Sequence, residues 1–284
     1  MIPRWNLVVD DIKAFCKALD KLVKYNFRRS KRGRKPKHSI RSYFKLIIAK
    51  EAKKASLRAA ETDYSKAVCD RRVDHSVIHY WEKKFDKSLV ERIVKAIGSK
   101  LEKLLGYLFS VIDSTEFTLW NKSNIEFHLL NRIAGTVYPV GIHFGKASPS
   151  MAVSNCLTDG SKHLYADAWY DDNKSFRIMI RKGYQPIVKS NKDRWRGYWR
   201  HRARKMWNKL SNRFAYRNRG RGESVFGTLT NWLGDRLKTS LISTSITRIG
   251  ARILAYLVRI YMRISVLYGI LRHAQKIVKD KYSF

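Results

Sequence analysis

The chain has 284 residues, 59 of them Lys or Arg against 23 Asp or Glu, for a formal net charge of +36. A surplus this large drives self-repulsion unless a polyanion neutralises it, so nucleic acid is the expected partner and an anionic membrane surface the alternative. Cys16, Cys69 and Cys156 are odd in number and lack CxxC spacing, which excludes a disulfide framework and a zinc ribbon and favours a reducing compartment.

In chain order, the opening MIPRWNLVVDDIK carries acids where a signal peptide needs its apolar run, so the expected location is the cytoplasm, with the nucleoid. Residues 4–27 alternate apolar and charged side chains at helical spacing. The run RRSKRGRKPK (28–37) then holds seven basic side chains, and reads as a linker or arm. Arg32 and Arg34 within it suit insertion into an AT-rich minor groove; the plainer alternative is a solvated tail.

Residues 39–99 read as helices, making residues 1–100 an all-α, DNA-binding region. Ser56 and Asp74 are expected caps for helices over 57–67 and 75–85. Two short helices so spaced fit a helix-turn-helix, with Ser76, His79 and Lys83 toward DNA, or an ordinary helical hairpin. His75 and His79 stand at i, i+4 near Cys69, but without a fourth ligand they do not make a metal site.

From residue 106 the texture changes. Segments 107–113, 125–131, 136–144, 163–169 and 186–190 are short, rich in β-branched and aromatic residues, and bounded by turn formers. A helix is expected over 174–183. The order is three strands, an irregular piece, a strand, a helix, a strand and further helices: a mixed α/β sheet, an antiparallel meander followed by βα units. Residues 191–222 interleave arginines with Trp195, Tyr198, Trp199, Trp207, Phe214 and Tyr216, equipment for neutralising phosphate and stacking on unpaired bases, or a helical insertion with its aromatics packed inward. In 246–274, Arg248, Arg252, Arg259 and Arg263 interrupt the apolar run on one face, so a core-packed helix with a basic edge is expected rather than a membrane span. Residues 273–284 form a basic tail.

Acids are scarce enough to sort. Asp113 and Asp167 each follow an apolar run, where the ends of neighbouring strands gather ligands. Beyond Asp172 only Asp193, Glu223, Asp235 and Asp280 remain. Asp193 lies in a basic stretch that makes it a local charge partner. Glu223 begins a helix, a position the helix dipole alone explains. Glu116 sits at an odd strand offset from Asp113 and points to the other face. Asp171 and Asp172 are expected to cap the following helix, and His143 and His163 to be structural.

The blocks VIDST (111–115), YADAWYD (165–171) and YRNRGRGESVFGTL (216–229) resemble, in order and spacing, the three catalytic blocks of DDE transposases of the insertion-sequence type. The resemblance spans residues 107–262 and implies an RNase H-like mixed sheet with flanking helices, in a catalytic domain of 106–272. It implies that Asp113, Asp167 and Glu223 are catalytic and hold two Mg²⁺ ions, with Mn²⁺ a substitute, for cleavage and strand transfer on DNA. The family signature of Tyr, Arg, Glu and Lys is matched by Tyr216, Arg219 and Glu223, with Tyr216, Arg217, Arg219 and Arg221 expected on DNA. Its Lys position is Thr230 here, a departure; Lys238 and Arg236 are the nearby cations. Expected partners are terminal inverted repeats and target DNA, bound by a homodimer, with no membrane. The alternatives are an inactive DNA-binding descendant, or a structure-selective nuclease of the same fold.

Overall fold

The computed structural model describes residues 11–22, 35–191 and 196–282, with side chains as far as residue 269. The chain divides into two compact units, residues 1–81 with 254–284, and residues 82–253.

In the first unit, α1 (Ile12–Leu22) turns Phe15, Cys16, Ala18, Leu19 and Leu22 inward, the spacing of one helical face. Its Asp20 takes Arg41 and Lys45 of α2 (Ile40–Ala52), each at 3.1 Å. Ser56 caps a helical run made of α3 (Leu57–Ala59), a π-helical turn (Ala60–Tyr64) and α4 (Ser65–Cys69), which ends at Asp70 with φ 63°. α5 (His75–Lys84) starts at Asp74, whose Oδ1 accepts from Ser76 N at 2.7 Å. The two short helices and both caps are therefore present. Arg32 and Arg34 lie outside the described residues.

The second unit is built on a sheet of order β3-β2-β1-β4-β5. β1 (Phe109–Leu119), β2 (Asn124–Ile133) and β3 (Val137–Phe144) run antiparallel in sequence, and β4 (His163–Ala166) and β5 (Gln185–Val188) lie parallel on the other side of β1. This is the expected mixed sheet, an antiparallel meander followed by parallel strands, with flanking helices. α6 (Lys87–Leu105), capped by Asp86, packs on β3. Gly98 permits the approach, since a Cβ there would lie 2.5 Å from Val140 Cα. Phe109, Val111, Ile133, Tyr165 and Ile187 form a buried cluster across the strands.

Four details differ from the sequence expectation. β1 does not end at Asp113 but runs six residues further, paired with β2 as far as Thr118–Asn124. The piece after β3 contains α7 (Pro149–Cys156), begun by a Ser148 cap and a proline in its first turn. Asp172 caps α8 (Asn173–Arg181) by accepting from Ser175 N, whereas Asp171 is 1% exposed and binds Arg200 Nε at 2.8 Å, so only one of this acidic pair is a cap.

The fourth concerns the long carboxyl-terminal helix. α9 (Tyr198–Trp207), α10 (Leu210–Ala215), a 3₁₀ turn (Tyr216–Arg219) and α11 (Gly220–Leu233) lead to β6 (Arg236–Leu237) and then α12 (Ile242–Tyr282). Three arginines of the expected basic edge of α12 are enclosed, Arg248, Arg252 and Arg259 each being 8% exposed, while Arg263 is half-buried. Arg248 Nη2 lies 2.9 Å from Glu82 Oε2, and Arg252 Nη1 donates to Gly234 O at 2.6 Å. No helix among the described residues is long and apolar enough to cross a membrane.

Candidate active site

The parallel pairing of β1 with β4 aligns Ile112 with Ala166. The next residue on each strand's path is an acid, so Asp113, inside β1, and Asp167, just past the end of β4, stand side by side, about 5 Å apart at the backbone by ordinary strand spacing. Asp167 then caps the 3₁₀ turn Ala168–Tyr170, its Oδ1 accepting from Trp169 N at 2.5 Å.

Glu223 reaches the same place from α11. Gly222 brings that helix onto β1: a Cβ at 222 would stand 2.5 Å from Val111 Cγ1, and Asn131 Nδ2 of β2 donates to Gly222 O at 3.2 Å. One turn earlier, Arg219 ties two of the acids together, with Nη1 3.0 Å from Asp113 Oδ2 and Nη2 2.6 Å from Glu223 Oε1. Tyr216 Oη donates to Ala166 O at 3.1 Å, immediately before Asp167, and its ring packs edge-on against Trp207.

The electrostatics follow from this crowding. Burial raises the pKa of Asp113; Arg219 and the Ser114 N–H oppose the rise, while Glu223 and Asp167 add to it. For Arg219 burial works downward, but Asp113, Tyr216, Glu223 and Asp167 outweigh it and the pKa is raised. Tyr216 is pushed up to about 12, chiefly by burial. One guanidinium among three carboxylates leaves an excess of negative charge built from hard oxygen donors, the chemistry Mg²⁺ or Mn²⁺ selects. With Arg219 interposed, the three acids are not all drawn within 4.8 Å of one another. Among the described residues that distance is met by Glu61, Asp74 and His75 instead. There Glu61 is already paired, with Arg72 at 2.8 Å and His75 at 2.8 Å, and Asp74 serves as a cap.

The remaining expected residues are placed as follows. Arg217 and Arg221 are exposed, Arg217 over the Phe214 ring and Arg221 donating to Ala134 O. Trp199 is half-buried with Tyr198 exposed beside it, while Trp207 and Tyr216 pack on the sheet cluster, so the aromatic segment is divided between core and surface. Trp195 lies outside the described residues. On α5, Ser76 and Lys83 are exposed and His79 half-buried. Thr230 spends its hydroxyl on its own helix, donating to Phe226 O at 3.0 Å. Arg236 pairs with Thr118, five residues along β1 from Asp113, or about 17 Å at the backbone.

Behind Asp167 lies an aromatic support that no motif in the sequence marks. His128 is fully buried and stacks on Trp169 with ring centroids 5.3 Å apart; burial lowers its pKa to about 4, keeping it neutral. Its Nδ1 lies 3.0 Å from Tyr170 Oη. Trp169 remains 40% exposed.

The fold thus gathers acids at two adjacent parallel strands and a third on the helix packed against them. Residues 106–258 match the family model of the transposase DDE domain. That is more than half of the chain, and the protein belongs to this family of transposases. Among solved structures, a piggyBac transposase in a synaptic complex with hairpin DNA is similar at a TM-score of 0.48 and 9% identity, over 91% of this chain and 72% of that one. No curated protein matches the chain.

Proposed function

We propose that the protein cuts the ends of its mobile element and joins them to target DNA, with Asp113, Asp167 and Glu223 as the catalytic acids. The observation that carries this reading is the Asp113–Arg219–Glu223 bridge, with Asp167 on the neighbouring strand. The three carboxylates would hold two Mg²⁺ ions, which when bound supply the charge to activate an attacking hydroxyl and stabilise the leaving 3′-oxygen.

The chain's own side chains do the rest. Asp113, half-enclosed between strands, and Asp167, fixed by the Trp169 N–H, set the acids before substrate arrives. Tyr216 holds the β4 end through Ala166 O and so positions Asp167. Arg219, released from the acids, is placed to take a phosphate oxygen, and Arg217 and Arg221 extend the positive surface along the backbone. Arg32, Arg34, Ser76, His79 and Lys83 are assigned to recognition of terminal repeats, Trp195 and Trp199 to the DNA end, and the working form to a dimer on paired ends. Residues 1–100 would then be the recognition region and 106–272 the catalytic domain.

The test is a supercoiled plasmid carrying the element's ends, with Mg²⁺ and a labelled target oligonucleotide. Wild type nicks and joins, and Asp113→Asn does neither; equal traces from both end the proposal. Thr230 favours a second reading, a DNA-binding descendant without catalysis, which predicts bound but uncut plasmid in both.

A further inference from the structure

Beside Asp167 lies a cavity of about 570 Å³ whose lining includes Ser148, Ser150, Trp169, Asp172, Lys174 and Asn191. We infer that it is a subsite for an unpaired nucleobase and its phosphate, belonging to the nucleotide next to the reacting one. This rests on the reading of the protein as a DNA-processing enzyme and adds a site to it.

Trp169 is the base platform. Its indole is fixed by stacking on His128 and by an edge-on contact with Tyr170 at 4.8 Å, yet it stays 40% exposed and forms part of the cavity wall. A ring held on one side by aromatic neighbours and open on the other offers its π-face at little entropic cost. The volume falls in the range of small-ligand sites. Every base has a π-face, so the platform needs no sequence information.

The polar groups sort by charge. Lys174, exposed in the first turn of α8, supplies a cation for phosphate, and the Ser148 and Ser150 hydroxyls sit at the amino-terminal end of α7, where the helix dipole favours an anion. Asp172 would repel phosphate, but its Oδ2 is turned to Ser175 N and Oγ, at 3.0 and 3.1 Å. The phosphate is therefore drawn toward Lys174 and α7. Position ties the cavity to the chemistry: Ala168 and Trp169 directly follow Asp167, and the Trp169 N–H is the donor that holds that carboxylate.

The test uses the full-length protein without divalent metal and a duplex with one unpaired 2-aminopurine at a 3′ end, read by fluorescence for stacking and by anisotropy for binding. Wild type is expected to quench the 2-aminopurine. Trp169→Ala should restore its emission and weaken binding about tenfold, the worth of one base–aromatic stack, with Trp169→Phe recovering most of it. An abasic 3′ nucleotide should remove the difference between wild type and Trp169→Ala, which a merely structural role for the indole would not do. Lys174→Ala should lower the salt dependence by about one phosphate contact while leaving quenching in place. Binding without quenching, or quenching that survives in Trp169→Ala, overturns the subsite and leaves the DNA-processing reading standing. Absence of binding by wild type at low salt overturns both.

Discussion

Arg219 Nη1 stands 3.0 Å from Asp113 Oδ2, joining a helix to a strand 106 residues earlier in the chain. Its Nη2 holds Glu223 at the same time. The guanidinium thus offsets the mutual repulsion of two acids that the fold brings together.

Removing that cation should raise the Asp113 pKa further, because the chief opposing influence on it is lost. Arg219→Ala is expected to show this in a carboxyl-carbon NMR titration without metal. Its melting temperature should drop at neutral pH, and the deficit should shrink as the pH falls and Asp113 protonates. Nicking should fall at least tenfold, the least expected from losing a charged group aimed at a phosphate.

Asp113 itself should trade stability for activity. Its folded pKa lies above the unfolded value, so the folded state binds the proton more tightly. Any stability this confers is complete below the unfolded pKa and is lost as pH rises through the folded one. At neutral pH the ionised carboxylate therefore costs stability. Asp113→Asn should melt higher than wild type in chelator at pH 7, with the gain vanishing in acid. Nicking should drop by about two orders of magnitude or more. A lower melting temperature at pH 7 would contradict the buried, crowded environment assigned to this acid.

Gly222 makes the site sensitive to one methyl group. Val111 is β-branched and buried, so it cannot turn away from a Cβ placed 2.5 Å from its Cγ1. Gly222→Ala should shift α11 off β1, costing about 1–3 kcal/mol in chemical denaturation as overpacking does. It should also depress nicking more than binding, because Glu223 moves with the helix. Gly227, one turn on with open space around it, is the control: Gly227→Ala should be neutral or stabilising.

Much of this arrangement was legible in the sequence because it is local. Short apolar runs marked the strands, Ser56 and Asp74 marked helix starts, and the spacing of three blocks marked Asp113, Asp167 and Glu223. What escaped depended on partners distant in sequence. β1 continues past Asp113 through Ser114–Thr118, a polar stretch that becomes strand only because β2 pairs with it. Asp171 looked like a cap until Arg200, 29 residues on, was found to bury it. Ser148-Pro149 is an ordinary helix start, and α7 could have been read from it. His128 gave no local sign that it would support Trp169, since their stacking depends on β2 and β4 flanking the same strand, β1.

The arginines of α12 show the same limit and lead to a further test. Their spacing put them on one face, read as the basic edge of a core-packed helix; nothing nearby in sequence offered a counter-charge. The partner of Arg248 is Glu82, 166 residues earlier and fully buried, with Arg248 also donating to Lys238 O at 3.1 Å. Breaking such a pair leaves one charge enclosed, which costs more than the pair contributes relative to apolar replacements. Glu82→Ala should therefore destabilise by about 3 kcal/mol or more, whereas Glu82→Leu with Arg248→Met should recover most of that loss. Denaturant unfolding of the two variants beside wild type decides it. Equal destabilisation of both would mean that the pair contributes net stability, and that α12 is held by its charges rather than by the apolar residues around them.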